Sequence, residues 1–149
     1  MKQKNFLLIA LRVACGSVLL FAGFAKIMQP PEETAAAFDI YRIFPAALLM
    51  PAATIIPWME YLVGGFLVAG FKTRYLAAAA SAIFFMFLTV LIAGLARGLN
   101  IADCGCFGNM GVHLEPRQTM ILDAAMLLAA LWLFKQEEHP LSLDLWVEK

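Results

Sequence analysis

Cys104 and Cys106, separated only by Gly105, are two of the chain's three cysteines, and their spacing invites chemistry more than any other pair of residues. Residues two apart on an extended chain lie up to about 7 Å apart, whereas a disulfide wants its Cα atoms about 4.4 to 6.8 Å apart with a defined torsion. Gly105 allows the bend that closes the ring. A ring this small should be strained, and strained exposed disulfides tend to be oxidising and to exchange readily. Such a pair suits handing a disulfide to another protein better than it suits stapling. A merely structural disulfide in an oxidising compartment is a second reading, and a soft-metal site a third, because thiolates favour Cu(I) or zinc. Two thiolates do not complete a zinc shell. His113 could supply another ligand, although a lone histidine in a loop is more often solvated, and no metal is assigned. Asp103 beside Cys104 opposes thiolate formation, whereas Arg97, Arg117 or a protonated His113 favours it.

The other residues that could do chemistry are ionisable groups inside apolar surroundings. A charge near the centre of a bilayer costs at least about 2.5 to 3.5 kcal/mol and is therefore paired or turned toward a cavity. Arg12 and Glu60 are the expected pair. Counted from the cytoplasmic ends of their spans, they lie about 9 Å and about 15 Å deep, a gap that an arginine side chain can close. They could form an ion pair that fixes helix register or line a polar ligand or quinone pocket. Lys26 and Asp123 fall near the outer ends of their spans, where snorkelling is the cheaper explanation. Cys15, in the first span, reads as a small apolar packing residue.

The elements that must hold these groups follow from composition. Of 149 residues, 62% are hydrophobic and 15% charged, against roughly 25% charged in an ordinary soluble domain. Formal net charge is zero and no long basic run occurs, so a nucleic-acid footprint is absent. Apolar stretches at 6–28, 46–70, 75–95 and 116–134 are each about 28 to 37 Å long as helices, enough to cross a hydrocarbon core of about 30 Å. Between Leu76 and Gly94 only Ser81 and Thr89 carry polar side chains, so no polar face is available to meet water. The expectation is an all-α, integral membrane bundle of four transmembrane helices, forming a single domain over 1–149. Arg12 and the apolar run after Cys15 argue against a cleaved leader.

Lysine and arginine positions orient the spans. Lys2, Lys4, Lys72, Arg74 and Lys135 fall on one side, and Lys26, Arg42, Arg97 and Arg117 on the other, a slight bias that places both termini and the 135–149 tail in the cytoplasm. The first outer loop opens with Pro30 and Pro31, followed by Glu32 and Glu33. Ala37, Tyr41 and Phe44 then recur at helical spacing, which predicts a short interfacial helix.

The chain resembles the methylamine-utilisation MauE family, relatives of the DoxX-like membrane proteins. The resemblance rests on Arg12 followed by Ala22-Gly23-Phe24-Ala25-Lys26, on Phe44-Pro45, on Pro57-Trp58-Met59-Glu60, and on Arg97-Gly98 leading into Asp103-Cys104-Gly105-Cys106-Phe107-Gly108. The last block is the most specific. This similarity implies a bacterial inner-membrane protein supporting disulfide formation or maturation of an exported partner, alongside a periplasmic thioredoxin-like protein. It implies that Cys104 and Cys106 form the redox pair, with Asp103, Gly105, Phe107 and Arg97 around them, and that Arg12, Lys26 and Glu60 are the family's intramembrane polar positions. A quinone is the membrane acceptor such a reaction would use. A non-catalytic membrane scaffold for partner assembly and a small-solute or metal carrier are the alternatives from other classes.

Overall fold

The computed structural model describes residues 2–99 and 115–136. The Cys104-Gly105-Cys106 block, Asp103, Phe107, His113 and the tail beyond Gln136 lie outside these residues. Among the described residues the helices run in the order α1 (Lys2–Ile27), α2 (Pro31–Ile40), α3 (Ala46–Ala69), α4 (Thr73–Ala96) and α5 (Pro116–Lys135). The four long ones fall within a few residues of the expected spans.

Local chemistry sets the ends of these helices. Pro30 and Pro31 stop α1 and start α2, with Pro31 in the first turn where a missing N–H costs nothing. Glu32 and Glu33 complement the dipole of that turn. At the end of α3, Gly70 adopts a left-handed conformation with φ 77°. Its N–H reaches the Leu67 carbonyl, and the Phe71 N–H returns to the Phe66 carbonyl. That double bond pattern closes the helix, and the Phe66 and Phe71 rings meet at 6.0 Å across it. Gly98 repeats the device after α4, bonding Leu95 while Leu99 bonds Gly94. At the start of α5, the Glu115 N–H donates to Gln118 Oε1 at 3.3 Å.

Helix α1 packs chiefly on α3, and α4 on α5, with α2 lying against α3. The two pairs meet in a core of Cys15, Leu19, Leu67, Phe84 and Ala130, to which all four long helices contribute. A second cluster, of Leu8, Ala77 and Leu133, closes the end where α3 turns into α4. Span hydroxyls turn inward to their own helix: Ser81 donates to the Ala77 carbonyl and Thr89 to the Phe85 carbonyl. No external partner is then needed in an apolar solvent.

Each long helix contains an 18-residue window of mean hydropathy between 1.4 and 2.5, yet only 22% to 39% of each window is buried within the protein. The remainder faces outward and includes Phe24, Ile55, Trp58, Phe66, Phe85, Ile121 and Leu128. Apolar surface on this scale requires lipid. The chain is a multi-pass membrane protein.

The short helix sits where it was expected, and two of the three residues that marked it pack: Tyr41 is 5% exposed and Phe44 lies against Phe38, their ring centres 6.0 Å apart. Thr34, Ala35, Phe38 and, just beyond the helix, Tyr41 are buried, while Ala37 is only half-buried. Ala35 and Phe38 rest on Ala53, with Leu49 and Ile56 beside them, so α2 covers the N-terminal half of α3.

Candidate functional site

Gly16, Gly23 and Gly64 let α1 and α3 approach almost backbone to backbone. A Cβ on Gly64 would lie 2.4 Å from the Leu20 nitrogen, and one on Gly23 would lie 2.5 Å from the Tyr61 nitrogen. Pro57, inside α3, contributes to this approach because its carbonyl faces Gly23. The register so fixed sets Lys26, at the end of α1, opposite Glu60 in the middle of α3.

Lys26 Nζ donates to both Glu60 carboxylate oxygens, at 2.8 and 2.9 Å, and each side chain is only 1% exposed. The ammonium also sits 4.8 Å from the centre of the Phe87 ring on α4, where the ring's negative face attracts it. One cation thus joins three helices. The cluster is deep rather than peripheral: Glu60 lies about 21 Å along α3 from its first residue, and Phe87 about 14 Å along α4 from its last.

Two expectations are corrected here. Glu60 pairs with Lys26, not with Arg12. Arg12 is fourteen residues earlier on the same helix as Lys26, about 21 Å away at helical rise, beyond the combined reach of the side chains. The expected pairing assumed that α1 and α3 end level at the cytoplasmic side. The glycine contacts instead slide α3 along α1, so that the first turns of α3 run past the end of α1. Nor does Lys26 snorkel: it is 3% exposed and its ammonium is bound by Glu60. Asp123 is likewise 7% exposed, on the buried face of α5. Arg12 is buried at 5% exposure.

Phe87 was missed because a phenylalanine in an apolar helix carries no distinguishing mark. The Lys26–Glu60 pairing had a usable signal in Gly16, Gly23 and Gly64, whose positions set the register. Cys15 is fully buried, its thiol 3.7 Å from the Met126 carbonyl, and is the packing residue expected.

The cysteine block belongs to the connection between α4 and α5. The described roots of this connection emerge at the same end of the bundle as α2, opposite the Gly70 to Lys72 turn. They are well anchored: Leu99, Leu91 and Met120 pack with Tyr41, and Arg97 Nη1 donates to the Tyr41 carbonyl at 3.4 Å. Arg97 therefore ties the root of the connection to the end of α2. The structure thus brings Lys26 and Glu60 together, sets Arg12 apart from them, and leaves the distance from either to Cys104 and Cys106 outside the described residues.

A family model described as "Methylamine utilisation protein MauE" matches residues 4–136. A curated relative, the methylamine utilization protein MauE of Methylophilus methylotrophus, is 26% identical over 90 residues, which cover 60% of this chain and 47% of the relative. The match thus spans about half the length of that protein. No solved structure matches the chain.

Proposed function

The chain belongs to the MauE family, and on that premise we propose that it is a methylamine-utilisation accessory protein of the bacterial inner membrane that supports disulfide formation in an exported partner. The observation that carries the reading is the Cys104-Gly105-Cys106 block, placed by the chain order in a connection whose two roots are pinned at one end of a membrane bundle. With both termini in the cytoplasm, that end faces the exported compartment.

In the proposed reaction, a thiolate of the substrate, or of a thioredoxin-like carrier, attacks one sulfur of the Cys104–Cys106 disulfide and forms a mixed disulfide. A second thiolate of the same molecule resolves it. The partner leaves oxidised, and Cys104 and Cys106 are left as two thiols carrying two electrons and two protons. A quinone would supply the acceptor for these two electrons and two protons, reoxidising Cys104 and Cys106 to the disulfide. The third cysteine, Cys15, is buried in the core and is not one of a pair, so the reaction proposed reoxidises Cys104 and Cys106 directly, or runs in the opposite direction and reduces the exported partner.

A scaffold reading is favoured by one observation: Lys26 with Glu60 and Phe87 joins three helices of the bundle. Trapping thiols in intact cells with a mass-tagging alkylator separates the two. Exchange predicts a fraction of chains with both cysteines reduced, a mixed disulfide that accumulates in Cys104→Ser or Cys106→Ser, and partner maturation reduced to background in both. A permanently oxidised pair with normal maturation in both variants would leave only the scaffold.

A further inference from the structure

Along one face of α4, Phe85, Thr89, Ala93 and Arg97 follow at four-residue spacing and floor a groove of about 480 Å³ that Ile43 closes from the connection between α2 and α3. The groove runs about 18 Å from Phe85 to Arg97, close to the roughly 15 Å of hydrocarbon in one bilayer leaflet. Its walls are apolar apart from two groups. The Thr89 hydroxyl is already committed to the Phe85 carbonyl at 2.8 Å, so the interior offers no free donor to a polar ligand head. Arg97 stands at the outer end, exposed, with a single long bond to the Tyr41 carbonyl, and a guanidinium carries five N–H donors. Phe85, 61% exposed, opens the deep end to the surrounding lipid.

An occupant must therefore be an apolar chain one leaflet long that ends in an anion. We propose that the groove binds one anionic phospholipid from the outer leaflet, its acyl chain along α4 and its phosphate on Arg97. Arginine matches phosphate oxygens in a forked, two-bond geometry. A quinone fits less well, since its neutral ring gains no ion pair at Arg97 and finds no donor beside Thr89.

The test uses the full chain in nanodiscs of equal phosphatidylglycerol and phosphatidylcholine, with retained lipid read by native mass spectrometry. One retained phosphatidylglycerol is expected, preferred about fivefold for a single cation near the surface. Arg97→Gln should bring the preference to near one, and Ala93→Phe should abolish retention with the cation intact. A photoreactive phosphatidylglycerol added to the unaltered chain gives an independent readout, with crosslinks expected on α4 between 85 and 97. No preference in the unaltered chain, retention in Ala93→Phe equal to it, a quinone retained instead, or crosslinks spread over the other apolar faces would each overturn the assignment.

Discussion

Lys26→Met should destabilise the bundle by about 3 to 5 kcal/mol, and adding Glu60→Met should recover most of that loss. The asymmetry follows from where the pair sits. Both side chains are 1% exposed, so removing the ammonium leaves a carboxylate with neither water nor its cation, the costly half of a broken buried pair. Removing both charges with side chains of similar length eliminates the desolvation cost together with the attraction, which is often neutral or stabilising by about 1 to 4 kcal/mol. Thermal or denaturant unfolding of the purified protein in detergent, run as a double-mutant cycle, measures the coupling. Additive losses in the two single variants would show that Lys26 and Glu60 do not act as a pair. The double variant also separates structure from function. If it is stable and matures the partner normally, the pair only sets helix register; if it is stable and inactive, the pair belongs to a ligand or acceptor pocket.

The spans were legible because apolar length is a one-dimensional property: a stretch long enough to cross a bilayer is visible without knowing its neighbours. The breaks were legible for a similar reason, since Pro30, Pro31 and Gly70 act on their own backbone. Partners across helices were not legible in that way. Arg12 was matched with Glu60 by counting from presumed span ends, but depth in a bundle depends on how far one helix slides along another. That slide is set by where backbones can touch. Gly16, Gly23 and Gly64 encode it, and a register built on them would have delivered Lys26. The short helix α2 was legible from the helical period of Ala37, Tyr41 and Phe44, whereas Ala35 and Phe38, which meet Ala53, show their role only once α3 is in place. The cysteine block was legible as chemistry from its spacing alone, whereas its geometry depends on residues outside the described ones.

The register argument makes its own prediction, and neighbouring glycines supply the control. Gly64→Ala should cost about 1 to 3 kcal/mol, the usual range for an overpacked contact, while Gly65→Ala should be neutral or slightly stabilising. Both changes improve intrinsic helix propensity by the same amount, on the order of 1 kcal/mol, and both lie in α3. They differ in what the added methyl meets. At Gly64 it would fall 2.4 Å from the Leu20 nitrogen and 2.7 Å from the Gly16 carbonyl oxygen, both backbone atoms that cannot rotate aside. At Gly65 it would lie 3.5 Å from the end of the Leu20 side chain, an ordinary contact. The methyl at Gly64 must therefore push α1 and α3 apart along the contact that sets Lys26 opposite Glu60. The Lys26→Met penalty should then shrink in a Gly64→Ala background and stay unchanged in Gly65→Ala. Equal stabilities of the two alanine variants would mean that the close approach of α1 and α3 does not fix the register, and that the Lys26–Glu60 pair has to be explained by the fit of the surrounding side chains.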